Sequence, residues 1–244
     1  MNREVIPMND EQSAASMPAS LSVVFSNCVE SVGMSLVATE RARALVPASF
    51  HLAGEAEILT PLVVLAVRGE IALAGQRSTP GVFVQIGLVI APPDGTGDVN
   101  VYTCWYYTSH AGLAHRLGRF GVNAQHVPQI DFRYIPSSGR ASLSVVVARP
   151  GEPALSLDGS AGEPHEPLSF VANWWARSGS GSVKMTTSIP KSLVGEASLT
   201  LTTDPHSALG QLLGGASIDC SVLERFNTFA QARLTVGLLA PAQK

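Results

Sequence analysis

Lysine is almost missing from this 244-residue chain: Lys184, Lys191 and Lys244 stand against 13 arginines. Chemistry that needs a primary amine, a Schiff base above all, therefore has three addresses at most. Charge of either sign is scarce as well. Asp, Glu, Lys and Arg make up 14% of residues, the net charge is -3, and no basic run occurs that would neutralise phosphates. This balance excludes a dedicated nucleic-acid binder and fits a surface partly covered by another copy of the chain, so a homo-oligomer is expected.

Paired cysteines are absent. Cys28, Cys104 and Cys220 are odd in number and far apart, with no C-x-x-C, which excludes a disulfide framework or a zinc knuckle. They read as small buried thiols in a reducing compartment, and the expected location is the cytoplasm. No apolar run reaches the ~18–20 residues needed to span a bilayer, so no membrane partner is expected. Residues 1–20 are polar, carry Glu4, Asp10 and Glu11, and read as a flexible tail rather than a secretion signal, leaving 21–244 as one domain. There is no internal repeat, no G-x-S-x-G elbow, and no glycine-rich loop that opens a helix; the Gly-Ser-Gly-Ser run at 179–182 reads as a hairpin turn.

What the chain does have is material for a core, at 45% hydrophobic residues, arranged mostly in β-branched runs. Strands are expected over Leu21–Val29, Leu62–Leu73, Val82–Ala91, Asn100–Tyr107, Ile130–Ile135, Ala141–Ala148, Ala154–Leu157, Phe170–Ala176, Val183–Ile189, Ala197–Thr203 and Phe229–Leu239. Pro, Gly and Ser-rich separators give the spacing of a meander. Short helices are expected after Thr39, read as an N-cap, after Ser109-His110, and over Ser207–Leu213. The fold class is mainly β, an antiparallel β-barrel-like or double-sheet single domain with a few short helices.

One stretch concentrates chemistry. Val101–Pro128 contains three of the four Tyr, one Trp and three of the six His, and runs from an aromatic strand through an amphipathic helix into a glycine turn. Trp105, Tyr106, Tyr107, Trp174 and Trp175 must divide between strand faces, so they serve as pocket walls or as core packing. Arg116 and Arg119, three apart on a helix, would receive a carboxylate or solvate the helix. His110 and His115 lie five apart, on different helical faces, and no acidic partner completes a metal site. Arg68 and Glu70 share a strand face, as a rim ion pair or as charges pointing into a barrel.

The order of these pieces, a strand pair leading to a Gly-Arg helix end, an Ile-Asp-Phe-Arg-Tyr-Ile strand, Gly-Arg-Ala-Ser-Leu-Ser-Val, Asn-Trp-Trp and Pro-His-Ser-Ala-Leu-Gly-Gln-Leu-Leu-Gly, resembles the acetoacetate decarboxylase-like superfamily from about Val46 to Gly215. The resemblance implies antiparallel strands around a buried pocket, oligomeric assembly and, in its decarboxylases, a Schiff-base lysine after G-R-E-x-x-G-x-P-K. Here the run is Gly118-Arg119-Phe120-Gly121-Val122-Asn123-Ala124-Gln125, so the lysine slot holds Ala124 or Gln125, and the carboxylate expected near Thr108-Ser109 is missing. The chain is expected to be an enzyme of specialised metabolism that has lost amine chemistry and needs no cofactor or metal. It would act on a polyketide-like or β-keto substrate by cyclisation, isomerisation, dehydration or decarboxylation. Tyr107, His126 and Arg119 are the candidate catalytic residues; Trp105, Arg68, Glu70, Gln85, Arg116 and Trp174 are the candidate substrate contacts. A Schiff-base enzyme using Lys184, or a non-catalytic carrier of an apolar molecule, are the alternatives.

Overall fold

A computed structural model of the chain describes residues 20–239 apart from 55, 98 and 180. The expected tail, residues 1–20, lies outside the described residues except for Ser20. In chain order the first strands are β1 (Ser20–Ala38), β2 (Leu59–Leu73), β3 (Thr79–Val89), β4 (Val99–Thr108), β5 (Ala124–His126) and β6 (Ile130–Ile135). They are followed by β7 (Ala141–Arg149), β8 (Glu152–Ala161), β9 (Glu166–Ser178), β10 (Gly181–Thr203), β11 (Ser217–Asp219) and β12 (Leu223–Leu239). Three short helices, α1 (Thr39–Arg43), α2 (Ala111–Arg119) and α3 (Ala208–Leu213), interrupt them.

Hydrogen bonding runs β12-β1-β2-β3-β4-β9-β10, and β10 pairs again with β12, so seven strands close into a barrel without a free edge. The runs Val183–Ile189 and Ala197–Thr203 belong to one strand: β10 pairs with β12 up to Glu196 and from Ala197 joins β8, β7 and β6 in a second sheet. That sheet buttresses the barrel from outside, where Leu143, Val145 and Leu157 pack with Val64, Val84 and Ile86. The expectation of purely antiparallel pairing is corrected at β4, which runs parallel to β9 and to β5. The chain between β4 and β9 leaves the barrel to build the second sheet, and a crossover of that length returns a strand in either direction.

Local chemistry sets the helix starts. His110 precedes α2 and its Nδ1 accepts from Leu113 N at 3.0 Å. Ser207 caps α3, its Oγ accepting from Gly210 N at 2.9 Å. The cap assigned to Thr39 is corrected: Ala38 holds the cap position without a side-chain bond, and the Thr39 hydroxyl meets that of Thr60 at 2.9 Å.

Which side chains enter the barrel is decided by a slip in β1. Leu21, Val23 and Phe25 point inward by strict alternation. Asn27 then takes φ 52°, the left-handed region that Asn tolerates better than most residues, and the β1–β2 register shifts between Ser26 and Val29. Past this bulge the inward set is Cys28, Val32 and Met34, with Glu30 among them, so the parity of the strand has been reversed. Gly69 on β2 makes room for the bulge, because a Cβ there would lie 2.3 Å from Cys28 Sγ and 2.9 Å from Ser26 O. The same change of parity occurs on β12, where Ala232, Leu234 and Val236 point inward on one side and Phe229 and Asn227 on the other.

Replacing Asn27 by Gly is expected to leave urea-melt stability within a few tenths of a kcal/mol, since both residues accept this backbone. Asn27→Val should lower it by about 1–2 kcal/mol, because a β-branched side chain clashes in the left-handed region. Equal melts for the two variants would remove the bulge from the account.

Candidate active site

Beyond the slip the barrel is hollow. Its cavity, about 350 Å³, is walled by Val63, Leu65, Val101, Phe170 and Trp174, with Glu30, Ser169, Asn227 and Arg225 as polar members. The volume suits a small organic ligand, and an apolar wall with few polar groups is how such ligands are held. Trp174 lies close against Gly87 of β3. A Cβ at Gly87 would come within 2.2 Å of Tyr102 O and 2.9 Å of the Trp174 ring. The exposed Arg225 stands at the mouth, opposite Val32 in register, one same-face step outward from the Glu30–Asn227 pair. Such a step is about 7 Å along the strands.

Glu30 is the unusual group. It is 5% exposed, and Asn227 Nδ2 donates to its Oε2 at 2.6 Å. Burial lifts the carboxyl from its ordinary value near 4.5 to about 7, and the Asn227 hydrogen bond opposes part of that rise. Desolvation wins: a rise of this size is worth about 3 kcal/mol, more than a charge-assisted hydrogen bond returns. The result is a carboxyl able to hold or release a proton near neutrality, in a space shielded from water.

The residues singled out from the sequence are divided between two faces of the wall. Trp174 lines the cavity. Gln85 is buried on the inward face of β3, donating to Thr103 Oγ1 at 2.9 Å. Tyr107 lies in the outer core beneath Arg149, whose guanidinium is 5.0 Å from the ring centre. Burial raises its hydroxyl above the ordinary range, with Arg149 opposing. Trp105 packs on that outer core and lines a separate cleft of about 270 Å³ with Tyr102 and Arg177. His126 and Arg119 are exposed, Arg116 is half-buried on α2, and none of the three lines the cavity. From the aromatic segment only Val101 reaches the cavity wall.

Two readings are corrected outright. Arg68 and Glu70 do not point into the barrel: Arg68 is exposed, donates to Phe132 O at 3.2 Å and stands 5.2 Å from that ring, while Glu70 accepts from Ser78 Oγ at 3.2 Å. Nor does Lys184 point inward. It alternates with Val183 and Met185 of the inner core, and its Nζ sits 2.6 Å from Asp94 Oδ2, 2.6 Å from Thr96 Oγ1 and 5.3 Å from the Trp175 ring centre. Among the described residues no lysine lines the cavity. The thiols are unreactive by the same physics that tunes Glu30: burial, chiefly, pushes Cys28, Cys104 and Cys220 to about 12.

Sequence reasoning missed Glu30, Asn227 and Arg225. A signal was present, a lone carboxylate inside the apolar run Cys28–Val37 and an Asn between Phe226 and Phe229. Alternation carried on from Leu21, however, would have pointed Glu30 outward.

Comparison of the sequence with protein-family models gives no match, and comparison with curated proteins gives none either. Comparison of the structure gives several. An acetoacetate decarboxylase-like enzyme from Sphingomonas wittichii RW1 superposes with a TM-score of 0.56 at 13% identity, covering 93% of this chain and 94% of that one. The chain has the acetoacetate decarboxylase-like fold. The acetoacetate decarboxylase of Legionella pneumophila gives a TM-score of 0.57 at 12% identity over 98% of this chain and 96% of that one. The enduracididine biosynthesis enzyme MppR, bound to the condensation product of pyruvate and imidazole 4-carboxaldehyde, gives 0.51 at 10% identity over 91% and 90%.

A carboxyl raised by folding favours the folded state while protonated, so this contribution is complete below the ordinary value near 4.5 and is lost as pH rises through about 7. Urea melts across that window should show the native protein losing up to about 3 kcal/mol that Glu30→Gln does not lose. Parallel pH profiles for the two proteins would contradict a buried, titrating Glu30.

Proposed function

We propose that this chain is a small-molecule enzyme whose active site is the barrel cavity, with Glu30 as the proton-transfer group. It acts without a Schiff-base lysine on a polyketide-like or β-keto carbonyl substrate. The observation that carries this reading is a carboxyl raised to about 7 in a cavity whose walls are mainly apolar, with Asn227, Ser169 and Arg225 as the other polar members. In its ionised form Glu30 takes a proton from the carbon next to a carbonyl; in its protonated form it returns that proton to carbon or to a departing oxygen. The resulting reactions are isomerisations, dehydrations or cyclisations through an enolate. The wall supplies position rather than charge: Trp174, Phe170 and Val101 hold the substrate against Glu30 and keep water out. The carbonyl-condensation product held by MppR, which has the same fold, supports chemistry of this class.

The rival reading through Lys184 loses support from the placement of its amine, ion-paired on the outer side of the wall. A homo-oligomer remains part of the proposal, supported by the exposed apolar side chains Leu36, Leu59 and Val99, which a second copy would cover.

The test is exchange of the α-protons of a methyl ketone with an n-propyl tail in D2O, followed by proton NMR. The native protein should accelerate exchange, Glu30→Gln should lose the acceleration by about 10²–10⁴-fold, and Lys184→Met should keep it. Equal rates for native protein and Glu30→Gln, or a borohydride-stable adduct on a lysine, would overturn the proposal.

A further inference from the structure

The barrel wall is split along one edge of β4. β9 pairs with that edge only as far as Tyr102–Trp175, and β5 joins it at Tyr106–Ala124. The stretch between, Thr103–Trp105, pairs with β3 alone, which leaves about 10 Å of open edge. The same stretch carries a bulge. Ile86 faces Trp105 and Gly87 faces Thr103, so Cys104 is an extra residue on β4. Strict alternation from Tyr102 would send Trp105 to the inner face; with the bulge, Tyr102, Cys104 and Trp105 all pack on the outer core. The split opens as the cleft of about 270 Å³, lined also by Leu45, Asn123 and Arg177. It shares no lining residue with the barrel cavity.

The charge in this cleft has one sign. Arg177 is its only charged lining residue. The side chain is exposed, donates to Ser49 Oγ at 3.0 Å, and forms no ion pair among the described residues. Burial keeps the neighbouring acids neutral: it raises the Tyr102 hydroxyl above its ordinary range, with Arg177 opposing, and lifts the Cys104 thiol to about 12. Tyr102 is therefore a hydrogen-bond donor, and its ring is held 5.0 Å from that of Phe50. A guanidinium with no anion to answer it receives a carboxylate through two parallel N–H bonds. Tyr102 and Trp105 beside it offer ring surface to a flat ligand. The volume lies below the usual range for organic-ligand sites and limits that ligand to a small one. We infer that the cleft is a second ligand site, separate from the barrel cavity, for a small aromatic carboxylate. Arg177 is its anion anchor, and Trp105 and Tyr102 are its ring contacts. This site stands whether or not the cavity is catalytic.

The experiment is calorimetry on the full chain with sodium benzoate, benzamide and cyclohexanecarboxylate. The native protein should bind benzoate about tenfold more tightly than benzamide, which lacks the charge. It should also prefer benzoate several-fold over cyclohexanecarboxylate, which lacks the flat ring. Arg177→Gln should bring benzoate down to the level of benzamide, and Trp105→Leu should erase the preference for the flat ring. Arg225→Gln, at the mouth of the barrel cavity, should leave benzoate binding unchanged, and an excess of the methyl ketone with an n-propyl tail should not displace it. Equal binding of benzoate and benzamide to the native protein, or binding of neither, would overturn this inference and leave the proposed function standing. That comparison needs no variant to fold. Displacement of benzoate by the ketone, or its loss in Arg225→Gln, would move the ligand into the cavity and remove the second site. A changed oligomeric state in Trp105→Leu, with no benzoate bound by the native protein, would give the cleft to a contact between copies instead.

Discussion

A left-handed residue in the first strand governs the interior of this barrel. Asn27 inserts one position into β1, and from there on every side chain faces the opposite way from the alternation that precedes it. The slip is accommodated by Gly69, which leaves space for Cys28, and by a matching change of parity on β12. Its consequence is chemical as well as geometric. Before the slip the barrel is filled by Leu21, Val23, Phe25 and their neighbours; after it, Glu30 and Asn227 are brought face to face in a cavity.

The energetics of that pair explain why it reads as a site rather than as packing. A carboxyl in an apolar wall destabilises the fold whenever it is charged, and a structural role would be filled as well by an apolar side chain. Ring closure and the buttressing second sheet hold the wall rigid enough to keep it there. The strands of the closed ring have no free edge, and the outer core of Val64, Val84, Ile86 and Leu143 braces the far side of the same strands. The fold thus retains a chamber open at one mouth while placing its described lysines elsewhere. Lys184 is tied to Asp94 and Thr96 outside, and Lys191 is exposed.

Much of the architecture was legible in the chain. β-branched runs separated by Pro, Gly and Ser turns identified the strands of the barrel and second sheet to within a few residues, and His110 sits at the expected helix start, whereas the cap of the third helix, expected around Asp204, is Ser207. The expected strands ended early in β1 and began late in β12 because the parity change breaks the alternation by which strands are recognised. The aromatic segment illustrates a different limit. Tyr106 and Tyr107 are adjacent and both buried, yet one belongs to the inner core and the other to the outer core. Composition marks such a strand as buried on both sides, and it carries no information on which side is hollow.

From the residues alone came a mainly β domain with ample core and three widely spaced thiols. These are local properties, read from composition, spacing and residue type. The tertiary structure decided which carboxylate is buried, that Asn227 is its partner, and that Lys184, Arg68 and Glu70 turn away from the interior. Facing direction accumulates along a strand, so one inserted residue reverses all that follow, and Glu30 meets Asn227 only because two strands nearly 200 residues apart in sequence align in register.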